Sequence, residues 1–147
     1  VIVNRSIEVS DPLVTEQTTD HSKGIISISA ETEQLLISGL NEFENSIQFL
    51  KNGISLPVLA AQLNTNTKYL SYIIKLQKQA DFNGYVNKLR INYVVTKLQK
   101  DPTWRQYKVS ALADVSGFSS PSQFAAIFKS TTGLSPSAFL RQLSNNS

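Results

Sequence analysis

One stretch of the chain, residues 109–136, constrains the fold more than any other segment. It reads VSALADVSGFSSPSQFAAIFKSTTGLSP, with a single glycine, Gly117, in its first half and a Ser-Pro pair, Ser135-Pro136, at its end. Glycine is typical of a tight turn, and Ser-Pro is typical of the first residues of a helix. The stretch therefore predicts a short helix, a turn, a second short helix and a capped restart, which is the layout of a helix-turn-helix.

A weaker copy of this pattern lies earlier in the chain, at Ile54–Lys75. Ala60 and Ala113 are 53 positions apart, whereas Leu70 and Phe124 are 54 apart. The two copies therefore align with one extra residue in the second turn. Two copies separated by a long helix predict a duplicated module rather than a solenoid, which needs at least three repeats.

The chain as a whole is predicted to be all-α, with two helix-turn-helix subdomains joined by a long helix. About seven helices are expected, plus a preceding N-terminal helix. Residues 1–28 are polar and acidic without helical periodicity, and we predict a flexible linker or tail there. The predicted parts of the remaining domain, 29–147, are a lead-in helix at 29–53, a first helix-turn-helix unit at 54–83, a linker helix at 84–100, an insert at 101–108, and a second unit with the last helix at 109–147.

Capping residues predict where the helices begin. Ser29 and Ser55 each precede an apolar helical pattern, and Asn83 precedes the long helix. Asn52-Gly53 is expected to end the lead-in helix. The apolar face of that helix is predicted to contain Leu36, Leu40, Phe43, Ile47 and Leu50.

Charge is distributed unevenly along the chain. Residues 1–50 carry two basic and eight acidic side chains, a net charge of −6, whereas residues 51–147 carry twelve basic and three acidic ones, a net charge of +9. This asymmetry favours an acidic lead-in joined to a module that binds a polyanion. Chance placement of solvated charge is the alternative.

Other classes of function lack the residues that they need. The chain has no Cys, and its only His, His21, lies in the acidic lead-in. It also has no Gly-rich nucleotide loop, no Ser/His/Asp set and no close pair of carboxylates in its basic part. We therefore predict no catalytic residues, no metal site and no cofactor. No apolar run approaches the roughly 18 residues of a membrane helix, and because Met is absent even at position 1 we expect a piece of a longer protein.

The outward face of the predicted helix Thr67–Lys78 is a candidate surface for DNA contact. Its side chains are basic, aromatic or hydroxylic, and none is a carboxylate. Lysine can contact guanine or phosphate, and tyrosine can reach a phosphate or a thymine methyl. An ordinary solvated face is the alternative, although such a face usually includes Glu. The candidate residues here are Lys68, Tyr69, Ser71, Tyr72 and Lys75, with Lys78 at the end of the helix.

The helix predicted at Pro121–Lys129 offers fewer groups that can read a base. Gln123 is the best of them, because a carboxamide can bond adenine N6 and N7 together. Ala125 and Ala126 can give only methyl contacts, so we expect this half to position the protein more than to specify sequence. Each serine could contact a phosphate or simply cap the helix. The candidate residues here are Ser119, Ser120, Ser122, Gln123, Ala126 and Lys129, and Arg105 and Lys108 in the insert are expected to add phosphate contacts.

Taken together, these motifs resemble the signature of the AraC/XylS family of bacterial transcription regulators. Gly117-Phe118, Phe128-Lys129 and Ser135-Pro136 match at the family's spacing, as does Leu89-Arg90 in the long helix. The resemblance covers about residues 50–143. It implies a domain of seven helices whose two recognition helices enter successive major grooves on one face of the duplex. The alanines of the second recognition helix and the insert Asp101–Tyr107 depart from the pattern.

The function expected from these features is sequence-specific binding of double-stranded DNA by a transcription regulator, with an activator as the expected type and repression left open. Contact with RNA polymerase and the oligomeric state are left open, and any effector domain lies in the missing part of the protein. The expected location is the cytoplasm, with membrane anchoring of the full-length protein also open. The alternative is a helix-turn-helix scaffold that serves as a protein-interaction module with weak or non-specific DNA binding. A dimerising helix at Ser29–Leu50 is a further alternative, but about three heptads favour packing on its own domain.

Overall fold

The computed structural model describes residues 27–146, which form α-helices and 3-10 turns and no strand within that range. The all-α prediction is therefore confirmed, and the lead-in helix is the first of the seven α-helices. Nearly all of the predicted tail at 1–28, including His21, lies outside the described residues. The helices are α1 (Ala30–Glu44), α2 (Leu56–Gln62), α3 (Thr67–Lys78), α4 (Phe82–Lys100), α5 (Val109–Val115), α6 (Pro121–Thr132) and α7 (Pro136–Asn145), with 3-10 turns at Gln48–Leu50 and Pro102–Gln106.

The lead-in helix begins as predicted but ends early. Ser29 caps α1 by accepting a hydrogen bond from the Thr32 amide at 3.0 Å, and the helix stops at Glu44 instead of continuing to Leu50. The cause is Ser46, whose hydroxyl donates to the Phe43 carbonyl at 2.7 Å and accepts from the Gln48 amide at 3.2 Å. A side chain that bonds the local backbone in this way competes with helix continuation.

Because the chain leaves the helix at this point, the predicted apolar face is only partly correct. Leu36, Leu40 and Phe43 are buried, but Ile47 is 64% exposed.

The long helix starts two residues earlier than predicted. Asp81, rather than Asn83, is the cap, and its carboxylate accepts a hydrogen bond from the Gly84 amide at 2.8 Å. Both residue types cap helices well, so burial decides between them. When the helix starts at Phe82, the ring of that residue is buried in the core.

Two hydrophobic cores follow one another along the length of α4. The first core is built from α1, α2, α3 and the first half of α4, and the second from the last part of α4 with α5, α6 and α7. Phe82, Tyr85 and Val86 belong to the first core, whereas Ile91, Val94 and Leu98 belong to the second. Between these two groups lies Arg90, one of only two buried polar side chains in the part of the chain described here.

Candidate nucleic-acid interface

The turns of the two helix-turn-helix units have the same backbone geometry. Asn64 and Gly117 occupy equivalent positions and have positive φ values of 57° and 88°. After each turn the chain makes the same hydrogen bond, from Thr65 N to Ala60 O at 2.9 Å and from Phe118 N to Ala113 O at 3.0 Å. The repeat predicted from side chains therefore extends to the backbone, and the extra residue lies between the turn and α6.

The orientation of α3 is fixed by its cap and by its inner face. Asn66 caps the helix by accepting from the Tyr69 amide at 2.8 Å. Leu70, Ile73 and Ile74 are fully buried in the first core. Because residues three and four apart share one side of a helix, the opposite side is directed away from the protein.

Most of the predicted contact residues of α3 lie on or beside this outer face. Lys68 and Lys75 are exposed, and Ser71 and Tyr72 are half-buried. Tyr69 is also half-buried, and the rings of Tyr69 and Tyr72 both pack against the first core. A tyrosine at the flank of an amphipathic helix buries its ring more readily than a lysine buries its charge.

Lys78, at the end of α3, is engaged by groups from other helices. Its ammonium forms an ion pair with Glu44 of α1 at 2.9 Å and lies 5.9 Å from the centre of the Tyr85 ring. The Tyr85 hydroxyl donates to the same carboxylate at 2.7 Å, and burial together with this acidic neighbour raises the pKa of Tyr85. The sequence of α3 alone gave no sign of this carboxylate, which partly neutralises the end of the outer face.

The start of α6 is a reciprocal cap that uses three of the predicted contact residues. The Ser120 hydroxyl accepts from the Gln123 amide at 3.1 Å, and the Gln123 side-chain oxygen accepts from the Ser119 amide at 3.2 Å. This is a close variant of the capping box. In this conformation Gln123 can offer its amide NH₂ to a base, because its oxygen is already bonded.

The rest of the outer face of α6 is small or weakly polar. Ser122, Ala126 and Lys129 are exposed, whereas Ala125, expected to be outward, is half-buried. The helix extends to Thr132, three residues beyond its predicted end, and Gly133 closes it with a φ of 90°. Only one cation, Lys129, lies on α6, compared with Lys68 and Lys75 on the outer face of α3.

An open depression separates the beginnings of α5 and α6, and it joins residues from the insert to the cap. Lys108, Asp114, Ser119 and Ser120 all line it. Lys108 is therefore close to the predicted phosphate-contacting serines. Arg105 is not, because its guanidinium donates to the Leu98 and Gln99 carbonyls at 2.6 and 2.9 Å and so caps the end of α4.

The described part of the chain contains no cluster of three or more His, Cys, Asp or Glu side chains that could hold a metal ion. None of the helices between residues 27 and 146 combines the length and the apolar composition that crossing a bilayer requires. The candidate contact groups that the structure leaves accessible lie on the outer faces of α3 and α6 and in the cap at the start of α6.

Comparisons with known proteins agree with this architecture. A family model described as a helix-turn-helix domain matches residues 59–142. The TCP pilus virulence regulatory protein of Vibrio cholerae is 29% identical over 85 residues, which is 58% of this chain and 29% of that protein. The chain thus spans less than a third of the length of this curated relative.

Two solved structures share the fold. An AraC-type transcriptional regulator from Chromobacterium violaceum has a TM-score of 0.63 and 17% identity, with 81% of this chain and 100% of that chain covered. The DNA-binding domain of the global transcriptional factor AdpA, solved in complex with a target DNA, also has a TM-score of 0.63 and 17% identity, with 76% and 94% covered. With the family model matching more than half of its residues, the chain belongs to the AraC-type helix-turn-helix family of DNA-binding transcription regulators.

Proposed function

We propose that the chain binds double-stranded DNA sequence-specifically by inserting α3 and α6 into successive major grooves on one face of the duplex. The observation that carries this proposal is the outer face of α3, where Lys68 and Lys75 are exposed beside Ser71 and Tyr72. Such a face can satisfy phosphates and base edges together. The AdpA domain, which shares this fold, was solved in complex with a target DNA, and this supports DNA binding by the chain.

In this proposal the two helices contribute unequally. On α3, lysine, serine and tyrosine offer donors and an aromatic surface to the bases. On α6, Ser119 and Ser120 lie at the helix start, where the helix dipole favours a phosphate, while Gln123 and Ala126 offer less to the bases. We expect α3 to read sequence and α6 mainly to position the protein.

In this proposal, binding of an effector is assigned to a part of the full-length protein outside this chain. We assign the effector-binding function to the rest of a longer chain, because this chain spans only 29% of the Vibrio cholerae relative. A contact with RNA polymerase, action as an activator and a location in the cytoplasm belong to the same proposal. They rest on family membership rather than on any group in the described residues.

Selection of duplexes from a random DNA pool, followed by sequencing, tests the proposal. We expect a two-part motif with centres about 10–11 bp apart, one helical turn, and more degenerate in one half. A Lys68→Ala variant should lose information in the better-defined half, and Lys88→Ala on α4 is the control that removes an exposed charge elsewhere. If no sequence is enriched while any duplex is bound in a salt-sensitive way, the protein-interaction alternative replaces the proposal.

A further inference from the structure

We propose that Arg90, with the segment Gln48–Asn52 that it grips, is the positioning element that fixes the spacing and orientation of the two DNA-reading helices. This inference rests on the proposed function, and it concerns a residue that lies on neither recognition helix. It predicts that Arg90 determines how strictly the protein selects the separation of its two half-sites.

The first observation is that Arg90 is bound by backbone atoms of a single short segment. It is 8% exposed, and its Nε donates to the Phe49 carbonyl at 2.6 Å while an Nη donates to the Lys51 carbonyl at 2.9 Å. A guanidinium that bonds two carbonyls with its fork holds the segment in both position and direction. The segment is thereby fixed to the middle of α4, at the boundary between the two cores.

The second observation is that the turn of the second helix-turn-helix unit rests on the same group. The Arg90 guanidinium carbon lies 5.5 Å from the centre of the Phe118 ring, and the Asn52 side chain donates to the Gly117 carbonyl at 3.3 Å. A methyl group added at Gly117 would collide with the Leu50 carbonyl and would lie 3.1 Å from the Arg90 guanidinium carbon. The segment Gln48–Asn52 is thus wedged between α4 and the second turn.

The third observation is that an aromatic chain holds the segment from another direction. The Phe49 ring packs edge-on against Tyr93 at 6.1 Å, and Tyr93 packs edge-on against Trp104 of the insert at 6.0 Å. Phe49 also packs against Phe43 of α1 at 6.2 Å. The segment is therefore connected to both units, and a change in its position is expected to move one unit relative to the other.

The geometry of DNA explains why such a junction affects specificity. Inserting one base pair between two half-sites moves one of them by about 3.4 Å along the axis and rotates it by about 35°. A rigid protein cannot follow this change, whereas a protein with a loose junction can. Since α3 packs in the first core and α6 in the second, the junction at Arg90 controls their separation.

The experiment measures affinity for a series of duplexes in which the selected half-sites are separated by one base pair fewer, the same number, or one more. For the unaltered chain we expect one misplaced base pair to weaken binding about tenfold, comparable to one mismatch. Arg90→Lys keeps the charge but cannot bond both carbonyls with a fork. In this variant the preference for the correct half-site spacing should fall to about threefold or less. The reason is that motion at the junction lets the two units follow a changed spacing at a smaller cost in binding energy. An unchanged spacing preference in the folded variant overturns the proposal.

Two glycine variants provide a matched pair in case Arg90→Lys does not fold. Gly117→Ala and Gly133→Ala both place a side chain at a positive φ, 88° and 90°, but only at Gly117 does the new methyl meet other atoms. Backbone strain is therefore similar in the two variants, and only Gly117→Ala pushes on the junction. The proposal is supported if Gly117→Ala loses the preference for one half-site spacing while Gly133→Ala keeps it. It is contradicted if the two variants show the same spacing preference.

A measurement without DNA separates this inference from the proposed function. Because the chain has no Cys, spin labels can be attached at Gln77→Cys on α3 and Thr131→Cys on α6, two exposed positions outside the predicted contact set. We expect a narrow distance distribution between the labels, and a broader or shifted one after Arg90→Lys. If duplex selection fails but the distribution broadens, the proposed function is wrong and the junction is still supported. If the distribution does not change, the role of Arg90 is wrong.

Discussion

Gln123 has two roles at the start of α6, since it completes the cap and, in the proposed function, it is the best base reader on that helix. Replacing it with Glu separates the two uses. Gln123→Glu keeps an acceptor for the Ser119 amide and adds a negative charge at a helix N-terminus, which is favourable there. We expect the free energy of unfolding to stay within about 0.5 kcal/mol of the original value or to rise, while affinity for the selected duplex falls about tenfold through repulsion by phosphates.

Gln123→Ala is the comparison for that experiment. Removal of the cap bond should lower the free energy of unfolding by about 0.5 kcal/mol, the low end for a lost capping interaction. If Gln123→Glu binds the duplex as well as the original protein does, Gln123 does not face the DNA.

The inequality between α3 and α6 is a second prediction about single residues. Lys68→Ala or Tyr72→Ala should weaken specific binding by about 1–3 kcal/mol, the range for a base-reading side chain, and Gln123→Ala should cost less. Binding titrations with the selected duplex measure each loss, and Lys88→Ala, on neither recognition helix, gives the loss from removing one positive charge alone. Equal losses in all three variants would contradict the proposed division of roles.

Individual caps show how far sequence could predict local structure. Ser29 and Ser55 were identified correctly because each is followed by an apolar helical pattern. Asn83 was wrong because Asp81 is an equally good cap two positions away, and the choice depends on burial of Phe82, which no local pattern records. Tyr69 and Tyr72 are both half-buried because their rings pack against the first core, which the sequence of α3 alone does not record.

Among the helices, α1 is attached to α3 and α4 by the Glu44, Lys78 and Tyr85 side chains, and this contact makes stability depend on pH. The pKa of Tyr85 is raised in the folded protein, so the unfolded chain loses this proton near pH 10 while the folded one keeps it. The contribution of Tyr85 to the free energy of unfolding is therefore fully present below pH 10 and is lost as the pH rises above it. We expect the contribution of Tyr85 to fall by about 1.4 kcal/mol per pH unit there.

Denaturant unfolding of the original chain and of Tyr85→Phe between pH 8 and 11 checks this expectation, with pH values chosen around the ordinary tyrosine pKa of about 10. The Phe variant still contains all the lysines, so their titration cancels in the comparison. The original chain should lose stability more steeply above pH 10. Parallel curves would show that the hydroxyl of Tyr85 does not stay protonated in the folded state.

The end of α1 shows what an apolar pattern leaves out at an element boundary. α1 ends at Glu44 because the Ser46 hydroxyl bonds the Phe43 carbonyl, although the apolar spacing continues to Leu50. Periodicity predicts which face of a helix is buried, but it does not record a competing local hydrogen bond. The ion pair between Glu44 and Lys78 was missed as well, because it joins helices that are distant in the chain.

For the whole molecule, the twelve basic side chains of residues 51–147 do not all remain available for DNA. Arg90 and Arg105 bond backbone carbonyls, Lys78 pairs with Glu44, and Lys97 lies over the Tyr93 and Trp104 rings. With about six phosphate contacts from the other eight, the logarithm of the binding constant should fall with the logarithm of salt concentration with a slope near −5. The remaining basic residues are Lys51, Lys68, Lys75, Lys88, Lys100, Lys108, Lys129 and Arg141.

Binding titrations between 50 and 200 mM salt, a range over which this effect is large, measure the slope. Arg141→Ala, at the exposed surface of α7, tests whether that residue is one of the contacts by reducing the slope by about one. A slope near zero for the original chain would exclude the electrostatic basis of the proposed function.

At this scale the duplication was visible in the sequence, but the junction was not. Ala60 matches Ala113 and Leu70 matches Phe124 because each pair fills the same place in its unit. The partners of Arg90 are main-chain carbonyls, which every residue has, so no sequence pattern distinguishes Phe49 and Lys51 as acceptors. For this reason, sequence predicts least well those contacts between subdomains that are made by backbone groups.

The division of α4 between two cores also determines how the protein comes apart. Its first half is buried with Phe82 and Val86 in one core, and its second half with Val94 and Leu98 in the other. If one unit unfolded alone, the half of α4 that packs in it would lose its core contacts and fray. This is costly because helix formation is itself cooperative. We therefore expect the two units to unfold together, so that loss of α3 brings about loss of α6.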